Sequence, residues 1–202
     1  MALEIIPNRR DMERHIELLT EPWADHDIKA AMEIRCLKEN RSPVSLRLKP
    51  LDAAYREETL TRATQMNEAG FNVYVCVNPI RSNWTGAAKD EAIVAAYFAF
   101  ADADDLGAAE RLIVAEPQPD FVVHTGSIPH DRLHAYWRVD GIPDLDAWRD
   151  MQSALIARFG CDPAIKNPSR IMRLAGTLSH PNRAKSARGY QTELTWFEER
   201  AS

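Results

Sequence analysis

Apolar positions along the 202-residue chain recur with two periods, and the switches between them set the expected elements. Met12, Ile16 and Leu19 fall at helical intervals and predict a short amphipathic helix over 9–20. Residues 27–38 (DIKAAMEIRCLK) and 43–51 (PVSLRLKPL) alternate as half-buried strands, and the turn residues of ENRSP predict a hairpin between them. Residues 52–69, rich in Ala, Glu, Arg and Leu, read as a helix stopped by Gly70. FNVYVCVNP (71–79) reads as a short strand closed by Asn78-Pro79, and the polar IRSNWTGAAKD (80–90) as a mobile loop.

The next segment, AIVAAYFAFADAD (92–104), is apolar at successive positions, which predicts a central strand covered on both faces. DLGAAERLIVAE (105–116) predicts a helix, with Asp105 expected as its cap. DFVVHTGS (120–127) and RLHAYWRV (132–139) predict strands, the second with Leu133, Ala135, Trp137 and Val139 opposite His134, Tyr136 and Arg138. The clearest helix is 144–160, with Asp144 or Asp146 near its start and Gly160 past its end. YQTELTWF (190–197) reads as a closing strand. No repeat, low-complexity tract or linker interrupts the sequence, so the expectation is one α+β domain over 1–202, a mixed central β-sheet flanked by helices.

Composition adds exclusions. No apolar run reaches a membrane span, and the start lacks the basic-then-apolar order of a signal peptide, so no membrane partner and a cytoplasmic location are expected. Cys36, Cys76 and Cys161 are odd in number and far apart, which fits neither a disulfide framework nor a zinc cluster and leaves them as small buried hydrophobes. A net charge of −5 excludes a generic basic coat for nucleic acid. Between Cys161 and Gly189, however, six cations stand against the single acid Asp162, a local positive field on an acidic body. Trp84 is expected to anchor its loop on the core rather than stack on a base, Trp137 and Trp148 to be core, and Lys89 to be a solvated loop lysine.

The apolar run 97–101 ends in Asp102, Asp104 and Asp105, and an ionised carboxylate beside a core needs a cation. Asp102 and Asp104 share one strand face, roughly 6.6 Å apart at the backbone from about 3.3 Å rise per residue. Their ends can converge on a divalent ion, and oxygen-only ligands favour Mg²⁺ or Mn²⁺ over zinc. Downstream, Ser127 and His134 lie on a strand–loop–strand, Asp162 opens the cationic segment, and Arg170 and Arg173 share a face if their turn is helical. Three carboxylates, a histidine and an arginine pair supply metal ligands plus phosphate donors, the inventory for nucleotidyl transfer.

The order of these motifs resembles the archaeo-eukaryotic primase superfamily, in particular its RepB-like and bifunctional primase–polymerase domains of plasmids, phages and prophages. YFAFADAD is similar to the family's apolar strand ending in D-x-D, RLHAYW to its histidine strand, and FGCDP to its apolar-Asp element; NVYVCVNP and SRIMRLAGTLSHPN are similar to recurrent flanking stretches. The steps are 30 positions from Asp104 to His134 and 28 from His134 to Asp162, and the resemblance runs from about 60 to 190. It implies a primase-like catalytic domain with its active-site cleft on the sheet, and a DNA primase/polymerase that takes nucleoside triphosphates and a single-stranded DNA template, often with a helicase as companion. Asp102, Asp104 and Asp162 would hold Mg²⁺ or Mn²⁺ and His134 would contact the incoming nucleotide's phosphates, making these four the catalytic set. Where the family has a small residue two before the histidine, this chain has Arg132: Ser127 supplies the hydroxyl instead, Arg132 adds a phosphate clamp, or nucleotide binding is weakened. Arg170 and Arg173 complete the nucleotide-binding candidates. The rival readings are a metal-dependent phosphodiesterase or nuclease and a catalytically inactive single-strand or origin-binding module.

Overall fold

The computed structural model describes residues 5–24, 30–114 and 116–200; positions 27–29 of the first expected strand and 115 of the expected helix 105–116 lie outside them. The chain opens with α1 (Arg9–Ala24), which continues through Pro22 beyond the expected end, and then forms the hairpin β1 (Ala30–Leu37) and β2 (Val44–Leu48). Asn40 turns that hairpin at φ 59°, a conformation asparagine tolerates better than most residues. Helix α2 (Ala53–Glu68) is capped by Asp52, which accepts from the Tyr55 N–H at 3.1 Å, and the following Gly70 sits at φ 85°.

Strands β3 (Asn72–Cys76), β4 (Ile80–Arg81) and β8 (Ile171–Arg173) join the hairpin in a first sheet of order β2-β1-β3-β8, with β4 on β1. The second sheet has the order β11-β6-β7-β5, from β5 (Ala96–Ala103), β6 (Phe121–Gly126), β7 (Arg132–Ile142) and β11 (Trp196–Glu199). A ribbon pairs β9 (Leu178–Ser179) with β10 (Glu193–Leu194). The α+β class stands as expected, with the strands divided over two sheets and the ribbon, and every pairing among the described strands antiparallel. The closing strand expected at 190–197 is two short strands parted at Thr195, whose hydroxyl donates to the Leu174 and Thr177 carbonyls.

Strand β5 is the edge of its sheet, not the centre expected from its apolar run. Its pattern resembles a central strand because both faces are covered and because side chains replace the missing neighbour. The Asn78 side-chain Oδ1 accepts from the Tyr97 and Phe98 N–H groups, and the Trp148 indole donates to the Phe98 carbonyl at 2.9 Å. The Gln152 amide accepts from Phe100 N–H at 3.2 Å and donates to its carbonyl at 2.6 Å. Trp148 and Gln152 belong to α4 (Leu145–Phe159), capped by Asp144, which accepts from Asp146 and Ala147, and ended by Gly160 at φ 63°. Asp105 does not cap α3 (Ala108–Ile113): Gly107 takes that position, and Asp105 contributes only its carbonyl, to the Ala108 N–H at 3.0 Å.

One face of β5 (Phe98, Phe100) packs with Phe121, Tyr136 and Trp148 in the main core, together with α1, β1 and β3. The other (Ala99, Ala101, Ala103) packs under α3 and α4 with Trp137. The three cysteines are buried and unbridged, and burial pushes the Cys36 thiol up to about 11 and the Cys76 thiol to about 12. Trp84 anchors its loop by donating to the Ala87 carbonyl at 3.1 Å, and Lys89 is exposed. Among the described residues no helix is long and apolar enough to cross a membrane.

Candidate active site

The main core ends in a carboxylate. Phe98, Phe100 and Asp102 point to the same face of β5, and the two rings are fully buried, so the backbone that carries Asp102 is held by packing. On β7 the corresponding row is Tyr136 then His134. Asp102 and His134 are partners in the ladder, with Oδ1 and Nε2 3.7 Å apart. Beyond them opens a pocket of about 150 Å³, floored by Asp102, His134 and Thr125 and bordered by Asp104 just past the strand end.

Three cations also line the pocket. Arg173, on β8, donates to Asn72 Oδ1 at 2.6 Å and Tyr74 Oη at 3.2 Å and lies over the Tyr74 ring. Arg132 is 4% exposed; its Nη atoms donate to the carbonyls of Ile128 (2.8 Å) and His130 (3.1 Å) and to Glu193 (3.0 Å), and its Nε stands 3.7 Å from Asp104 Oδ1. A side chain at Gly126 would collide with the Arg132–Glu193 pair, which explains a glycine there. Lys185, on the short α5 (Arg183–Ala187), donates to Asp104 Oδ2 at 2.8 Å.

Several sequence candidates lie elsewhere. The Ser127 hydroxyl and N–H both donate to Glu193 Oε1, at 2.8 and 2.7 Å, and Ser127 does not line the pocket. Arg170 and Arg173 do not share a helical turn: Arg173 ends β8, whereas Arg170 precedes it, bonds back to the Ala164 carbonyl and stays outside the pocket. Asp162 is brought beside Asp102 through the backbone, its N–H 3.5 Å from the Asp102 carbonyl on the outer edge of β5. Its carboxylate accepts from the Ala164 N–H at 2.8 Å; the residue is exposed and does not line the pocket.

Burial first, then the charges of Asp104 and Asp162, push the Asp102 carboxyl up to about 7. Burial would also raise Asp104, but the Lys185 hydrogen bond and the charges of Lys185 and Arg132 hold it below the usual range. Burial, with Arg173 adding to it, pulls His134 down to about 3, so its imidazole is neutral; its Nδ1 is buried with no protein partner.

No protein-family model matches the chain, and no curated protein matches it. Solved structures do. The AEP domain of the primase-polymerase (PrimPol) of cyanophage S-2L aligns over 96% of this chain and 91% of its own, with TM-score 0.61 and 25% identity. The primase RepB′ aligns over 93% of this chain and 56% of its own, with TM-score 0.63 and 15% identity. The catalytic domain of RepB′ in complex with initiator DNA aligns over 95% and 85%, with TM-score 0.59 and 16% identity. The chain has the archaeo-eukaryotic primase fold.

On this primase fold, the donor set fits a hard divalent cation in kind: the Asp102 and Asp104 carboxylates line the pocket, and the charges of Asp104 and Asp162 add to burial in raising Asp102. Among the described residues no three ligating side chains already converge on one point, since Lys185 occupies Asp104 and the Ala164 N–H occupies Asp162. Glu193 and Tyr190 are parts of the site that sequence reasoning missed. Both come from the last segment of the chain, far from any motif, and no local pattern marks them. Gln152 had a signal, a lone amide four residues after Trp148 on the buried stripe of α4.

Proposed function

We propose that the chain is a primase-type nucleotidyltransferase that makes or extends a primer on single-stranded DNA in the replication of a plasmid, phage or other mobile element. The observation that carries the reading is Asp102 facing His134 across the β5–β7 ladder, with Asp104 at the strand end, in a pocket also lined by arginine and lysine on the primase fold. Asp102 and Asp104, joined by Asp162, would hold magnesium or manganese, which would supply charge neutralisation for the triphosphate and activation of the attacking hydroxyl. His134, neutral at working pH, presents an N–H to a phosphate oxygen. Arg173, its Nη atoms oriented by Asn72 and Tyr74, offers its remaining N–H groups to the same phosphates. Arg132, its Nη donors already engaged, fixes the Asp104 side of the pocket. At about 150 Å³ the pocket is smaller than the roughly 300–1,000 Å³ usual for whole ligands, so it takes the polyphosphate and leaves the base to pair with template at the rim.

Incubation with primed and unprimed single-stranded template, Mn²⁺ and labelled nucleotides tests the reading. The expected result is strand synthesis that falls by about a thousandfold or more in Asp102→Asn and Asp104→Asn, with folding retained. Strand shortening in place of synthesis overturns it in favour of a nuclease. DNA binding with no activity that either substitution alters leaves a non-enzymatic module.

A further inference from the structure

We propose that Lys185 is a built-in counter-cation for Asp104 which a divalent metal has to displace, so that metal loads together with the nucleotide and not ahead of it. The inference rests on the reading of Asp104 as a metal-binding carboxylate and assigns Lys185 a role in the order of loading. Its basis is an asymmetry between two acids two positions apart. Asp104 has a cation at each oxygen, Lys185 Nζ at 2.8 Å on Oδ2 and Arg132 Nε at 3.7 Å on Oδ1. Among the described residues Asp102 has no lysine or arginine at ion-pair distance: its partner is His134, with Nε2 3.7 Å from Oδ1. The protein therefore neutralises one carboxylate itself and leaves the other to an outside cation.

The two cations on Asp104 differ in freedom. Arg132 is buried and tied to two carbonyls and Glu193, whereas the Lys185 side chain is 36% exposed on a five-residue helix capped by Asn182. Lys185 also lies 5.2 Å from the Tyr190 ring, which carries Arg132 and Arg188 as well, so its ammonium has a second support when it leaves Asp104. A metal arriving alone must break the Lys185–Asp104 pair. A polyphosphate arriving with it offers Lys185 new oxygens and frees Asp104, which makes the two bindings mutually reinforcing, since coupling between sites is reciprocal.

Mn²⁺ binding to the whole chain, measured by the loss of the free-ion spin-resonance signal with and without a non-hydrolysable nucleoside triphosphate, tests this without any turnover. Lys185→Met should bind Mn²⁺ alone about two- to fivefold more tightly than wild type, the scale of a partly exposed ion pair, and should lose most of the enhancement that the nucleotide gives. Lys185→Arg, which keeps the charge, should stay near wild type, and melting temperatures should confirm that both variants fold. Unchanged or weaker Mn²⁺ binding by folded Lys185→Met overturns the proposal. Asp104→Asn is the separate control: if it leaves Mn²⁺ binding intact, the metal-site reading itself fails, and if it abolishes binding while Lys185→Met does not strengthen it, only the role of Lys185 fails.

Discussion

Asp102 illustrates how one side chain sets function against stability. Its folded carboxyl titrates near 7 against an ordinary value of 3.8, so between about pH 4 and 7 the folded state holds a proton that the unfolded chain has released. Without metal, stability therefore falls as pH rises through that window. Asp102→Asn should abolish synthesis yet raise metal-free stability at pH 7.5 by on the order of 2 kcal/mol, with the gain vanishing near pH 4, as urea titrations at the two pH values would read. A variant less stable than wild type at pH 7.5 contradicts this. His15 works in the opposite direction. Buried against Phe121 and Tyr136 and accepting the Ala175 N–H at 3.1 Å, it is pulled by burial to about 3 from 6.5. The unfolded chain gains that proton first, so stability present above about pH 6.5 drains away as pH falls towards 3. His15→Asn keeps an acceptor for Ala175 and should flatten that loss in an acid titration.

At the scale of elements, β5 depends on groups outside its own sheet. Gln152 satisfies both backbone groups of Phe100 and donates to the Ile165 carbonyl at 3.0 Å, so Gln152→Leu strands three buried polar groups. The expected cost is about 2–4 kcal/mol, read as a lower urea midpoint. The same element shows what a sequence can and cannot disclose. Helix α4 was legible from its stripe, its Asp144 cap and Gly160, and the β1–β2 hairpin from alternation around a turn. The edge position of β5 was not, because burial on both faces writes the same apolar run at an edge as at a centre. At the site, the acids and His134 stood out because polar groups at the end of apolar strands are costly and therefore conspicuous. Glu193, Tyr190 and the divergence of Arg170 from Arg173 depend on contacts between distant segments, which periodicity does not record.

Over the whole molecule, a net charge of −5 leaves the positive field local. Lys166, Arg183 and Arg188 are exposed on the cationic segment that also supplies Arg173 and Lys185 to the pocket. If a single strand crosses this segment, replacing the three exposed cations with alanine should weaken binding and reduce the slope of log affinity against log salt by about 2, since each phosphate contact on a single strand contributes roughly 0.7. An unchanged slope would direct the template elsewhere.

The side-chain sealing of β5 also bears on assembly. A strand from a second chain that approached beside the carboxylates would meet Asn78, Trp148, Gln152 and the Asp162 backbone already in the places it needed. Growth of this sheet by strand addition is therefore blocked on its β5 flank, and any ribbon-to-ribbon self-association through it has to start from β11, at the opposite margin.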